Sequence, residues 1–223
     1  ALRAAIDLAA ASDLDLAASS RVVAVAMKTF GLEASDAARI ADSFVGAADA
    51  SVAEVSDLAA AFENVGPTMA QFGYSIEDTN TALAILSTRG ITGAEAGTAL
   101  KSMMTNMMRP TKAVTEALDA LNVSLYDEAG HLKTMPVLMD ELSTALQGVT
   151  EEQRNHYIQA IAGTYGMKAM ATLVGEGRAG WDAMAAAIGE AATAQEVGAA
   201  RTQGFNAAME QLLGIDTRGN FTN

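Results

Sequence analysis

Gly175, Gly177 and Gly180 stand at the Gly-x-Gly-x-x-Gly spacing that lets a dinucleotide phosphate approach the start of a helix. That chemistry also needs a buried strand ahead of the first glycine and alternating strands and helices around it. No Val- and Ile-rich strand precedes Gly175, so the spacing is expected to be a connector between two helices. His131 and His156 are the residues suited to metal ligation or proton transfer. Glu152 lies four residues before His156, but one carboxylate and one imidazole are too few to complete a zinc site. The acidic pairs Asp127 with Glu128 and Glu151 with Glu152 could supply an acid and a base. Adjacent positions diverge around a helix, however, and both pairs fall where a turn or a helix cap is expected. No Gly-x-Ser-x-Gly elbow, Gly-Lys-Ser/Thr phosphate loop or His-Glu-x-x-His helix occurs. With no cysteine there is no thiolate nucleophile, disulfide or Cys-ligated metal. No catalytic residue, cofactor or metal site is expected.

Two other clusters suit contact rather than catalysis. Met103, Met104, Met107 and Met108 lie on one helix face just before Arg109-Pro110. Methionine is flexible and polarizable, so the cluster reads either as core filling or as an adaptable surface for a partner. Upstream, the stretch from Gly90 to Ser102 places Gly93 and Gly97 four residues apart, on one face of a helix. Such a face lets a second backbone approach closely, within the molecule or from outside it.

The elements that position these residues are helices. Half of the 223 residues are apolar, yet aromatics make up only 5% and alanine fills 48 positions. Alanine is the best helix former and a poor strand residue, so the expectation is an all-α, multi-helix globular domain. A chain of this length buries roughly 70% of its extended surface on folding. Five pairs match the capping-box spacing ahead of helical patterns: Ser12 with Asp15, Ser51 with Glu54, Ser75 with Asp78, Thr92 with Glu95, and Thr150 with Gln153. Helices are expected over 2–11, 15–30, 36–47, 52–65, 67–72, 76–87, 93–108, 111–121, 135–146, 151–162 and 168–175, followed by a long alanine-rich helix over 181–213. One small β-hairpin is expected where Val123 and Leu125 alternate with polar neighbours before a turn at 127–130. The composition shifts after Gly177 to Ala, Gly, Glu and Gln. This divides the chain into a core helical domain, residues 1–175, and a helical extension and tail, 176–223, which would leave the compact body and need a partner to cover it. Residues 216–223 read as a frayed end. Without an initiator Met or a leader, the chain is expected to be a piece of a longer product.

The net charge is −13. Such a field disfavours phosphate backbones, and with no Lys/Arg run and scattered aromatics, direct nucleic-acid binding is not expected. The longest stretches free of charged residues, 64–76 and 155–167, fall short of the roughly 20 apolar residues of a membrane span.

The Gly90–Ser102 stretch, the apolar Met103–Met108 helix and the Arg109-Pro110-Thr111 turn together resemble the core region of phage tail tape measure proteins of the lactococcal-phage type. In order around them come Phe30-Gly31-Leu32 before Ala37–Asp42, Phe72-Gly73-Tyr74-Ser75, Leu121-Asn122-Val123 leading to Asp127 and Gly130, and Gly163–Met170. The similarity runs from about Leu2 to Val174, while 214–223 match nothing recognisable, and the family's preceding N-terminal part is absent. The resemblance implies a mostly helical structural protein that occupies the tail tube lumen, sets tail length and is expelled at DNA ejection. It implies that Gly90, Gly93, Gly97, Met103, Met104, Met107, Met108 and Pro110 form the family motif or a partner surface. The implied partners are the tail tube protein, tail tip or baseplate proteins, tail assembly chaperones and further copies of the chain. The implied locations are the virion tail and, during assembly, the host cytoplasm. A helical scaffold or adaptor of bacterial, prophage origin is the competing reading, and it would share the alanine-rich helices but not the ordered Gly and Pro-Thr landmarks.

Overall fold

Apolar residues recurring every three or four positions become helices throughout the computed structural model, which describes residues 1–213, with side chains through Ala208. The order is α1 (Leu2–Ala11), α2 (Leu16–Phe30), a 3-10 turn at Ala34–Asp36, α3 (Ala37–Asp49), α4 (Val55–Gln71), α5 (Ile76–Thr88) and α6 (Gly93–Met107). Then come α7 (Lys112–Ala120), α8 (Met135–Gln147), α9 (Glu151–Glu190) and α10 (Ala194–Leu213). The all-α expectation holds. The expected frayed end, 216–223, lies outside the described residues.

Helix α6 is central, lying between α4 and α9, while α5, α7 and α8 also pack on α9 and α3 joins α4 and α5. The core is built from Phe44, Phe62, Leu58, Leu83, Leu100 and Met103, all under 2% exposed. Phe62 anchors one end, with ring centroids 5.3 Å from Phe44, edge to face, and 5.7 Å from Phe30. Inside this core the Asn80 amide donates to Ser43 Oγ at 2.9 Å, tying α5 to α3. Helix α10 folds back along α1 and also touches α3. Its early residues Ala194 and Val197 join the core, but Ala199 to Phe205 are exposed.

Two of the expected capping boxes form as drawn. Ser75 Oγ accepts from the Asp78 amide at 3.0 Å, Thr150 Oγ1 accepts from the Gln153 amide at 3.3 Å, and each partner side chain caps back. Thr92 is the N-cap of α6 but makes no side-chain cap, and the Glu95 side chain, rather than capping back, accepts from Lys168 of α9 at 2.9 Å. Ser12 and Ser51 end helices rather than begin them: each hydroxyl donates to the carbonyl four residues back, Leu8 and Ala47. The true starts are Asp15, whose carboxylate accepts from the Ala18 amide at 2.7 Å, and Glu54.

Several expected boundaries differ: α9 runs from Glu151 to Glu190 through 163–167 and 176–180, where connectors between helices are expected, with non-helical dihedrals at Gly163 and Gly177. The break expected at Gly66-Pro67 is absent, and α4 runs through Pro67. Pro67 and Glu63, whose carbonyl loses its amide donor, are both exposed, while Val65, Gly66 and Met69 hold the buried face. The hairpin does not form strands. A single antiparallel bridge joins Tyr126 to Leu132, because the Asp127 carboxylate winds 127–131 into a turn by accepting from the Ala129 and His131 amides at 2.9 and 2.8 Å. Finally, the long helix expected over 181–213 is interrupted after Glu190: Ala191 is extended, and Thr193 with Glu196 caps the start of α10.

Candidate functional site

The glycine pair of α6 has distinct local roles. Gly93 opens the helix with φ +55°, and a Cβ there would lie 3.2 Å from the Asp57 carboxylate. Gly97 faces α4 so closely that a Cβ would meet the Ala61 carbonyl oxygen at 2.3 Å and its Cα at 2.8 Å. On the opposite side α9 contributes its own glycine: a Cβ on Gly166 would meet the Met103 amide nitrogen at 2.6 Å. Helix α6 is thus clasped between two backbones, and any side chain at either glycine forces a helix apart. Gly90 instead serves the turn before α6, with φ +77° and open space where a Cβ would stand.

The methionines divide by depth. Met103, Met104 and Met107 are within 1% of full burial and fill the space around the clasp. Met108 is half-buried and Pro110 is exposed. Thr111 follows, its hydroxyl accepting from the Val114 amide at 3.3 Å to start α7. Helix α7 therefore leaves α6 at an angle that opens a groove of about 310 Å³ between α6, α7 and the segment 123–126. Met107, Met108 and Pro110 line one wall, and Val114, Leu118 and Leu125 line the others. The structure thus brings the last three motif residues to one groove and places the other five inside the α4–α6–α9 contact or at its entry turn.

Other residues at the site carry no signal in sequence reading. Tyr74 donates its hydroxyl to the Lys133 carbonyl at 3.0 Å, pinning the bridge segment to the α4–α5 turn, and burial pushes its phenol well above the usual range. Lys133 in turn places its ammonium 2.7 Å from both Glu141 oxygens. Asn106, on the last turn of α6, donates to the Ala162 carbonyl of α9 at 3.2 Å. The Tyr74 and Asn106 contacts join residues more than 50 positions apart, beyond the reach of local patterning.

The titratable groups with shifted protonation are structural. Amides of the turn, His131 first, hold the Asp127 carboxyl below the ordinary range. The Glu33 amide does the same for Asp36, and the Thr193 amide for Glu196. Burial raises Asp13, but hydrogen bonds from Ser56 outweigh it and leave the carboxyl lowered. Each of these is a carboxylate capping backbone amides, not a poised acid or base. Among the described residues no group of three or more His, Cys, Asp or Glu is placed to hold a metal ion, and no helix is long and apolar enough to cross a membrane.

Residues 1–163 match a family model described as phage-related minor tail protein. The chain is 34% identical over 215 residues to a tape measure protein of Pneumococcus phage Dp-1, covering 96% of this chain and 19% of that protein. It is 25% identical over 147 residues to a probable tape measure protein of Escherichia phage P2, covering 65% of this chain and 18% of that protein. The chain therefore spans about a fifth of the length of these curated relatives. No solved structure matches it.

Proposed function

This chain belongs to the family of phage-related minor tail proteins, and from that premise we propose that it is a folded structural module of a tape measure protein. In this reading the parent protein lies in the lumen of the tail tube, sets tail length during assembly and leaves when DNA is ejected. The observation that carries it is the similarity to the Dp-1 tape measure protein along nearly the whole chain, which spans both the α6 clasp and the capped starts of α5 and α9. Length setting suits a helical protein, since each helical residue adds about 1.5 Å.

The module has no reaction of its own in this proposal. Its contacts are with the tail tube protein, tail tip or baseplate proteins, assembly chaperones in the host cytoplasm and other copies of the same chain. The groove beside Met108 and Pro110 is the surface offered to such partners. In this reading residues 1–175 are the fixed module and 176–223 its extension, the first part of which packs back on the module through Trp181 and Ala194.

Quantitative mass spectrometry of purified virions tests lumen occupancy. Peptides of this chain are expected in filled particles and lost from tails that have ejected their DNA. Equal abundance before and after ejection would contradict expulsion, and absence from filled virions would favour an assembly adaptor.

A further inference from the structure

Seven large apolar side chains stand exposed among the described residues, and three of them belong to the helical hairpin α1–α2: Leu2 at 70%, Ile6 at 48% and Leu16 at 48%. The other four, Val52, Tyr126, Tyr165 and Phe205, are scattered over the α3–α4 loop, the 123–126 segment, α9 and α10. The hairpin residues are not isolated. On α1, Leu2, Ile6 and Ala9 recur at helical spacing, on the side away from buried Ala4, Leu8 and Ala11. On α2, Ala17, Ser20, Ala24 and Met27 do the same, away from buried Val22 and Ala26. Between the two rows, at the end where α1 begins and α2 stops, lies an apolar groove of about 510 Å³. Ala5 and Val23 floor it, and Leu2, Ala24 and Met27 wall it. Exposed apolar side chains gathered on one face mark a contact surface.

Charge separates this face from the rest of the molecule. Arg3, Arg21 and Lys28 balance Asp7, Asp13 and Asp15, so residues 1–32 are neutral and the whole net charge of −13 lies in the remainder. Two copies of so acidic a chain repel over most of their surface and approach best where the charge cancels. The hairpin charges are also sorted along its length. Asp13 and Asp15 sit at the loop between the helices, whereas Arg3 and Lys28 sit at the open end, where Lys28 borders the groove.

This arrangement complements itself. A two-fold axis running across the helices lays the loop end of one hairpin on the open end of the other. Leu16, the exposed apolar residue of the loop end, then meets the groove of the second copy, and Asp15 beside it meets Lys28. The α2 helices run antiparallel, so their dipoles oppose favourably. Two helices side by side, the longer about 22 Å, make a face about 20 Å across, which with side-chain relief comes to about 600 Å² of accessible surface. That is the lower bound for one side of a stable interface, so the pairing is expected at micromolar concentration.

We propose that the outer face of α1–α2 is the docking surface for a second copy of this chain, the two hairpins stacking into an antiparallel four-helix bundle with Leu16 of each copy in the groove of the other. This deepens the contact between copies named in the function proposed above and rests on that reading for its place in the tail. Association in solution is measured without the phage, so a failed dimer leaves the tail assignment standing, and a failed tail assignment leaves the dimer.

Sedimentation equilibrium of the whole chain, from about 1 to about 200 μM, should show a reversible passage from one copy to two. Leu16→Glu puts a carboxylate into the partner's groove while suiting the first turn of α2, and should raise the dimer Kd about a hundredfold, since each dimer carries the change twice. Ala24→Glu blocks the same groove from its exposed wall and should act alike, with helical circular dichroism kept. Lys28→Glu, which sets like charges together at the rim, should raise Kd only severalfold, by about threefold to tenfold. A single copy throughout the range would overturn the proposal. So would a mass of three or more copies, or a dimer whose Kd is unmoved by both Leu16→Glu and Ala24→Glu; an unmoved Kd in Lys28→Glu would overturn the antiparallel arrangement.

Discussion

The α4–α6–α9 contact and the α1–α10 contact are both made by small residues, yet they differ in depth. In the first, Gly97 and Gly166 bring backbones together and large side chains close the gaps: Phe62, Leu100, Met103 and Met107 are essentially unexposed. In the second, Gly198 sits over Ala10 and the Asp7 carbonyl, with Ala194 and Val197 as the inward residues of α10. Its polar tie is the exposed Arg3–Gln195 hydrogen bond, at 3.1 Å, while the Ala194 amide donates to the Asp42 carboxylate of α3, at 2.8 Å. Alanine and glycine make close approach possible in both places. Only where leucine, phenylalanine and methionine interleave does the approach bury enough apolar area to anchor the fold.

The sharpest way to break this comparison is to hollow out the central contact. Met103→Ala should cost about 3 kcal/mol in urea unfolding, through lost burial and the cavity left behind. Gly97→Ala should follow with about 2 kcal/mol, because its Cβ meets backbone atoms of Ala61 that cannot turn aside. Removing 191–223 should cost less than either and leave the near-ultraviolet signal of the buried Trp181 in place. A loss equal to that of Met103→Ala would mean that α10 is as much an anchor as α6. Thr150→Ala removes the cap of α9 and should cost about 1 kcal/mol at most, read as a small drop in melting temperature.

Acid should act in the same graded way. The Asp127, Asp36 and Glu196 carboxyls are lowered by the amides they cap, so their folded pKa values lie below their unfolded ones. Their stabilisation is present above the unfolded values, near about 4, and is lost as pH falls through the folded ones. Melting temperature should therefore hold from neutral pH to about 5 and decline below about 4. Asp127→Asn should flatten that decline slightly, by lowering the neutral value a little and leaving the acid value nearly unchanged.

Much of the fold can be read from the chain because its signals are local. Caps at Ser75 and Thr150, and apolar spacing in α5, α6 and α8, depend on residues within one turn of each other. The misread boundaries depended on what lies across the molecule or toward solvent. Pro67 is tolerated within α4 because it faces water, and Ser12 and Ser51 close helices because Asp15 and Glu54 start the next ones. At the candidate site, the Gly93–Gly97 spacing signals a close approach, whereas the identity of the approaching backbone, Ala61, does not follow from it. The methionines share a helix face, but only the departure of α7 after Pro110 separates core Met103 from the groove at Met108. The α10 start was legible in Thr193 and Glu196, a capping pair hidden within a run of alanine.

The most direct test of the tail assignment is electron microscopy of tails from the parent phage carrying in-frame deletions of known size in the helical part of this gene outside the module. The account predicts tails shortened by about 1.5 Å per residue removed, with particles otherwise intact. Tails of unchanged length would contradict a tape measure role and point to a helical adaptor instead.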